Sequence, residues 1–280
     1  MWLVVAFESA IHDPRDQLEL VFDGLKLYIK LNQDEHCDLI AAFVEPLQDR
    51  EEIQIRINRF LSAMAWKDSQ RYISRGGIAG GARPEDRNTP RFNYREKRHN
   101  PSSVISKYDF EHLQVPTDDR QRLALALYRE ALGANQEFYK FLSFFKILNI
   151  VFERGPQLAT WINAHVQQVR NDFSLQRLQE LQASGVNIGD YLVREGRNAI
   201  AHAFAQPIKD PDVITDIVSV MKDAELMQGL ATVLIEEELG FPSLSKIWRE
   251  HLYELDGFKT LFGEAVVTRL KSREEVAPAP

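Results

Sequence analysis

Arg197, Asn198 and His202 stand in the run Ile188-Gly-Asp-Tyr-Leu-Val-Arg-Glu-Gly-Arg-Asn-Ala-Ile-Ala-His-Ala-Phe204, with the small residues Ala199, Ala201 and Ala203 around them. An imidazole that titrates near neutrality can take a proton from a hydroxyl or return one to a leaving oxygen. A guanidinium that is always charged can stabilise negative charge that builds up in a transition state. The amide beside them can orient the ring or a phosphate oxygen. The three side chains suit general acid–base chemistry at a centre that gains negative charge, and the alanines leave room for another helix or a second chain. At ~100° per residue Asn198 and His202 share a helix face, whereas Arg197 and His202 lie ~140° apart. Gly196 is expected to interrupt the helix and leave Arg197 at its start, able to swing toward His202. In an unbroken helix Arg194 aligns with Asn198 and His202 and becomes the better partner. The same residues also fit a structural role, with His202 buried against a neighbouring helix and Arg197 paired to Glu195 or Asp190.

The elements that must position this run differ between the two halves of the 280-residue chain. Trp2–Phe7 and Leu25–Leu31 run apolar or alternate over short lengths and predict strands. Ile53–Trp66 places Ile53, Ile57, Phe60, Leu61 and Met64 on one helical face. After residue 108 the pattern is helical. Thr117 is read as the cap of a helix whose first turn holds Asp118 and Asp119 and whose inner face is Leu123, Leu127 and Ala131. Phe138–Phe152 is apolar nearly all round and predicts a central buried helix. Pro156 opens another, with Leu158, Trp161, Ile162, His165 and Val169 on one side. Asp210-Pro211-Asp212 reads as the start of a long helix that Gly240 and Pro242 stop, and a shorter one follows from Ser243. The fold class expected is α+β: a small α+β domain over 1–70, a linker or loop over 71–107, an all-α bundle over 108–256, and a tail over 257–280.

Residues 71–107 carry a net +6 inside a chain of −7. Glycines 76, 77, 80 and 81 with prolines 84, 90 and 101 deny the segment a long helix, so it reads as a loop or irregular hairpin. Arg75, Arg83, Arg87, Arg91, Arg95, Lys97 and Arg98, interleaved with Tyr72, Phe92 and Tyr94, have the ingredients of a single-strand contact, guanidiniums for phosphates and rings for bases. A solvated linker fits the same composition. The acidic remainder excludes a protein that coats nucleic acid over its whole surface.

One cysteine, Cys37, excludes an intrachain disulfide and a cysteine zinc site, and it predicts a reduced, cytoplasmic protein. The apolar start lacks a basic region and ends at Glu8, so no signal peptide is expected. Lys140 and Lys146 interrupt the most apolar stretch, so no membrane contact is expected. The remaining histidines have no second ligand at a metal-forming spacing, and neither a metal nor a cofactor is expected.

Arg197-Asn-Ala-Ile-Ala-His202 resembles the R-x4–6-H signature of the HEPN superfamily, including the polar residue after the arginine. The helices on either side fit too. The arrangement with an N-terminal α+β region resembles the methylamine-utilisation MauJ family and the related Apea-like HEPN proteins. The HEPN likeness spans residues 117–240. It implies a metal-independent endoribonuclease, a toxin or phage-defence effector, whose composite site is built by a homodimer from Arg197, Asn198 and His202, with Arg194 as an auxiliary. Members of the superfamily also serve as non-cleaving modules that bind RNA or a protein partner, and the MauJ likeness points to an accessory protein of amine metabolism.

Overall fold

The computed structural model describes residues 2–9, 11–12, 18–31, 38–44, 50–79, 103–104, 113–201 and 209–251. The chain divides into two compact units, residues 1–115 with 244–280 and residues 116–243.

The first unit is built on a five-stranded antiparallel sheet. Strands β1 (Trp2–Ser9), β3 (Leu18–Phe22), β4 (Leu25–Lys30), β5 (Asp38–Phe43) and β6 (Tyr72–Ala79) lie in the order β3-β4-β5-β1-β6, and the short β2 (Ile11–His12) and β7 (Ser103–Val104) pair in parallel as a separate two-stranded sheet. Leu18, Leu20 and Phe22 of β3 are buried while Glu19 and Val21 are exposed, the alternation of a half-buried strand. Phe22 pairs with Leu25 across a two-residue turn in which Asp23 and Gly24 both have positive φ, 49° and 69°, as a type I′ hairpin requires. In the centre, Trp2–Phe7 is buried on both faces. Helix α1 (Arg50–Asp68) packs on the sheet, with Phe60 edge-on to Phe22 at 5.5 Å between ring centroids.

Of the segment 71–107, expected to be a loop or irregular hairpin, Tyr72–Ala79 is a strand. These residues form the edge strand beside β1. The glycines are accommodated because Val5 pairs with Gly77 and Phe7 with Ser74, so β6 advances three residues against two and bulges at Arg75-Gly76.

The second unit is helical. Its helices are α2 (Asp119–Gly133), α3 (Glu137–Asn149), α4 (Gly155–His165), α5 (Asp172–Ala183), α6 (Ile188–Asp190), a π-helix (Tyr191–Arg197), α7 (Asn198–Ala201) and α8 (Ile214–Glu237). α3 is the central helix that its apolar pattern predicts, burying Phe141, Phe144, Phe145, Ile147 and Leu148 and packing chiefly on α8. α2 differs from its sequence reading in two ways. Asp118, not Thr117, is the cap, its carboxylate accepting from Gln121 N at 2.9 Å. Leu123 is 51% exposed, and the inner face is Gln121, Ala124, Leu125, Tyr128 and Ala131. Gln121 explains the rotation: its buried amide donates to Leu239 O at 2.9 Å, which pins the start of α2 to the end of α8.

α8 begins three residues later than Asp210-Pro-Asp implies. Asp210 instead closes a turn, accepting from Asp212 N at 2.9 Å through its side chain and from Val213 N at 3.1 Å through its backbone. Asp216 occupies the first helical turn, where its carboxylate accepts from Asp210 N at 3.0 Å and pairs with Lys209 at 3.4 Å. Those contacts hold the Asp216 carboxyl below its ordinary range, the backbone hydrogen bond contributing most. At the far end Gly240 turns with φ +62°, and Phe241 N donates to Ile235 O at 3.0 Å. Helix α9 (Leu244–His251) counts with the first unit.

Candidate functional site

The run that carries Arg197 and Asn198 leaves α5 through Gly185 and is fastened before its helix begins. Asn187 caps α6, its Oδ1 accepting from Asp190 N at 2.9 Å. From α4, Asn163 accepts from Gly189 N at 2.9 Å and donates to Asn187 Oδ1 at 2.9 Å. Gly189 lets the two backbones meet: a Cβ there would lie 2.1 Å from Ala159 O and 2.9 Å from Ala159 Cα. Because the obstacle is backbone, Gly189→Ala must push α4 and α6 apart. The expected cost is about 3 kcal/mol, a fall of roughly 10 °C in the thermal midpoint of this unit by circular dichroism.

Beyond α6 the helix does not break at Gly196. Tyr191–Arg197 is π-wound and runs directly into α7 at Asn198. Gly196 is buried inside the π-helix, where a Cβ would come within 2.9 Å of Phe141 Cζ, so the glycine serves contact with the central helix and not a chain break. Arg197 is therefore the last π residue and Asn198 the first of α7. The half-buried Arg197 donates from Nη1 to Asn198 Oδ1 at 2.8 Å. Arg194 is 74% exposed and faces Asp190 at 3.8 Å. The structure thus joins Arg197 to Asn198, and it puts Arg194 on the surface with an acid one helical turn back.

His202 lies outside the described residues, as do Arg83, Arg87, Arg91, Arg95, Lys97 and Arg98. The backbone of Arg75 belongs to β6.

Sequence reasoning missed a buried polar cluster that grips the start of the π-helix. The Tyr191 hydroxyl donates to Asp223 Oδ2 at 2.8 Å and accepts from Arg177 Nη2 at 3.1 Å, while Arg177 Nε donates to Asp223 Oδ1 at 2.9 Å. Three helical segments, α5, the π-helix and α8, meet in this triangle. Outside it, Glu180 accepts from Arg177 at 2.9 Å and from Lys222 at 2.6 Å. Asp223, 1% exposed, accepts on both oxygens from donors, the geometry of an ionised carboxylate. Burial pushes its carboxyl above the ordinary range, against the opposing pull of Arg177 and Tyr191. Burial also works against the Arg177 charge, but Asp223 and Glu180 outweigh it and hold the guanidinium above its usual range. Glu180 is held low, first by Lys222 and then by Arg177. One signal was available in the sequence: Asp223 falls among Val220, Ala224 and Met227, on the buried stripe of α8.

Burial, and then the charge of Asp223, push the Tyr191 hydroxyl up to about 12. The fold therefore favours the neutral phenol. Its contribution is fully present below the unfolded value of ~10 and is lost as pH rises from there toward the folded value. Between pH ~9.5 and ~12 the wild type should lose more stability than Tyr191→Phe, as urea denaturation at stepped pH would measure. Equal losses would show that Tyr191 ionises as an exposed tyrosine does.

Among the described residues no three His, Cys, Asp or Glu side chains are grouped to hold a metal ion, and no helix is long and apolar enough to cross a membrane. Residues 124–236 match the family described as "Methylamine utilization protein MauJ". That span runs from α2 into α8 and includes Tyr191, Arg197, Asn198, Arg177 and Asp223. No curated protein and no solved structure matches the chain.

Proposed function

We propose that the helical unit is a HEPN-type, metal-independent endoribonuclease centre whose residues are Arg197, Asn198 and His202, assembled across a homodimer. The observation that carries this reading is the 2.8 Å bond from Arg197 to Asn198 at the junction of the π-helix and α7. It holds a guanidinium in a fixed direction five residues before the histidine. In the reaction a ribose 2′-hydroxyl gives its proton to an unprotonated imidazole and its oxygen attacks the adjacent phosphorus. The bond from phosphorus to the 5′-oxygen breaks, and a protonated imidazole, supplied by the second protomer, returns a proton to that oxygen. The products are a 2′,3′-cyclic phosphate and a 5′-hydroxyl. Arg197 stabilises the extra charge on the pentacoordinate phosphorus, and Asn198 orients Arg197 through its carbonyl oxygen. The basic residues between Arg75 and Arg98 would grip the strand.

Incubating total RNA and single-stranded DNA with the protein in EDTA tests this. Cleavage of RNA alone, with 2′,3′-cyclic phosphate ends, is expected. Activity abolished by chelation, or ends bearing 5′-phosphate, would overturn the mechanism.

The second reading is a HEPN-fold module that binds RNA or a protein without cleaving, or a MauJ-like accessory protein of amine metabolism, the latter favoured by the family match over residues 124–236. Under it His202→Ala leaves the cellular phenotype and binding intact. Both readings place the protein in the cytoplasm, and the first makes it a toxin or defence effector.

A further inference from the structure

We infer that Tyr191, held by Asp223 and Arg177, is a positioning residue. By keeping residues 191–197 π-wound, it sets the direction in which Arg197 and Asn198 leave the helix. Its consequence for catalysis rests on the reading above; its consequence for geometry does not.

A π-helix is rare and usually confined to a single turn, so a seven-residue one needs something to hold it. Two contacts fix where the segment begins and ends. Gly189 is locked against the backbone of Ala159, and Gly196 is pressed on the ring of Phe141. Neither contact selects the winding by itself, because a glycine has no side chain to aim. Tyr191 supplies that selection. It is the first π residue, and its hydroxyl is anchored to Asp223, 32 positions away on α8, and to Arg177 on α5. Arg177 is in turn anchored by Glu180, which Lys222 also holds, so the anchor is itself braced at both helices.

With the start of the helix fixed by the phenol and Gly196 fixed by Phe141, the i to i+5 pattern determines where residue 197 emerges. Five steps of α-winding leave residues ~140° apart, whereas π-winding brings them roughly over one another. Tyr191 and Gly196, and Leu192 and Arg197, are the two pairs so related. Leu192 and Gly196 are buried, and Arg197, following Gly196, leaves the core half-buried at the rim, where it meets Asn198. An α-wound segment of the same length would carry Arg197 and Asn198 around the axis and away from that position.

Two variants of the full chain test the inference. Tyr191→Phe keeps the ring and deletes only the hydroxyl. Removing Glu195, an exposed residue within the π-helix, takes out one residue and leaves the right number for α-winding. The Arg197 guanidinium signal is followed in side-chain nitrogen NMR, assigned by its loss in Arg197→Lys, and the cleavage of a fluorescent RNA oligonucleotide is resolved into kcat and KM. Both variants are expected to shift the Arg197 signal and to lower kcat by about 10- to 100-fold with KM nearly unchanged. An Arg197 signal that stays where it is in wild type, or an unchanged kcat, overturns the inference. Should wild type not cleave RNA at all, the ribonuclease reading fails by itself, and the NMR shift still decides whether Tyr191 positions Arg197. If either variant does not fold, the combination Arg177→Met, Tyr191→Phe and Asp223→Leu, which replaces the whole triangle by apolar groups, takes its place with the same expected shift.

Discussion

His202→Ala should abolish RNA cleavage to within the background of the assay, a loss on the order of 10²- to 10⁴-fold in kcat. The reaction needs one proton removed and one delivered, and His202 is the one imidazole in the run from Ile188 to Phe204. Arg197→Ala should cost about 10²- to 10³-fold, because charge stabilisation at phosphorus is lost while proton transfer remains. The double variant should be little worse than His202→Ala alone, since groups that act together in one transition state are not additive. Arg194 separates the two geometries that the sequence leaves open. It is exposed and faces Asp190, so Arg194→Ala should change kcat by less than about threefold. A loss at Arg194 equal to that at Arg197 would move the charge-stabilising role one turn back along the helix. Full activity in His202→Ala would remove His202 from the proton transfers and end the Arg197, Asn198 and His202 centre; wild type that cleaves no RNA would leave the accessory-protein reading.

How far the sequence could be read depended on the distance between cause and effect. α3 was legible because Phe141, Phe144, Phe145 and Leu148 recur at helical spacing within a dozen residues. The hairpin of β3 and β4 carries a local signal too, Asp23-Gly24 between two alternating strands. β6 was different in kind. Within Tyr72–Ala79 the strand-forming Tyr72, Ile73 and Ile78 are offset by Gly76 and Gly77, which favour a loop, and pairing along the edge of β1 decides between them. The rotation of α2 has the same origin, a bond from Gln121 to Leu239 across 118 positions. At the candidate site, residue types singled out Arg197 and Asn198, but the bond between their side chains was not among the expectations, which turned Arg197 toward His202. The winding that joins them was not readable, because α and π states of one short segment are selected by what Tyr191, Gly189 and Gly196 touch elsewhere in the bundle.

Asp223→Ala is the substitution expected to damage the fold most. It strips the partner from a guanidinium whose side chain is only 13% exposed and leaves the Tyr191 hydroxyl buried without its acceptor. Removing one member of a buried pair costs about 3–5 kcal/mol, because the remaining charge keeps its desolvation penalty and loses its compensation. For a unit of this size that is roughly 10–20 °C in thermal midpoint. Glu180 softens the loss, since it already accepts from Arg177 and can hold part of the charge. Arg177→Met should cost less than Asp223→Ala, because the buried Asp223 carboxyl, already pushed upward by burial, can take a proton and keep its bond to the Tyr191 hydroxyl, and the two together should cost less than the sum of the singles. Replacing the whole triangle with Met, Phe and Leu should recover most of the stability, as apolar groups of similar volume do in place of buried ion pairs. Chemical denaturation of the four variants decides the matter. Strict additivity would mean that Arg177 and Asp223 act independently, and the stable apolar triple would then separate what the triangle contributes to folding from what it contributes to the direction of Arg197.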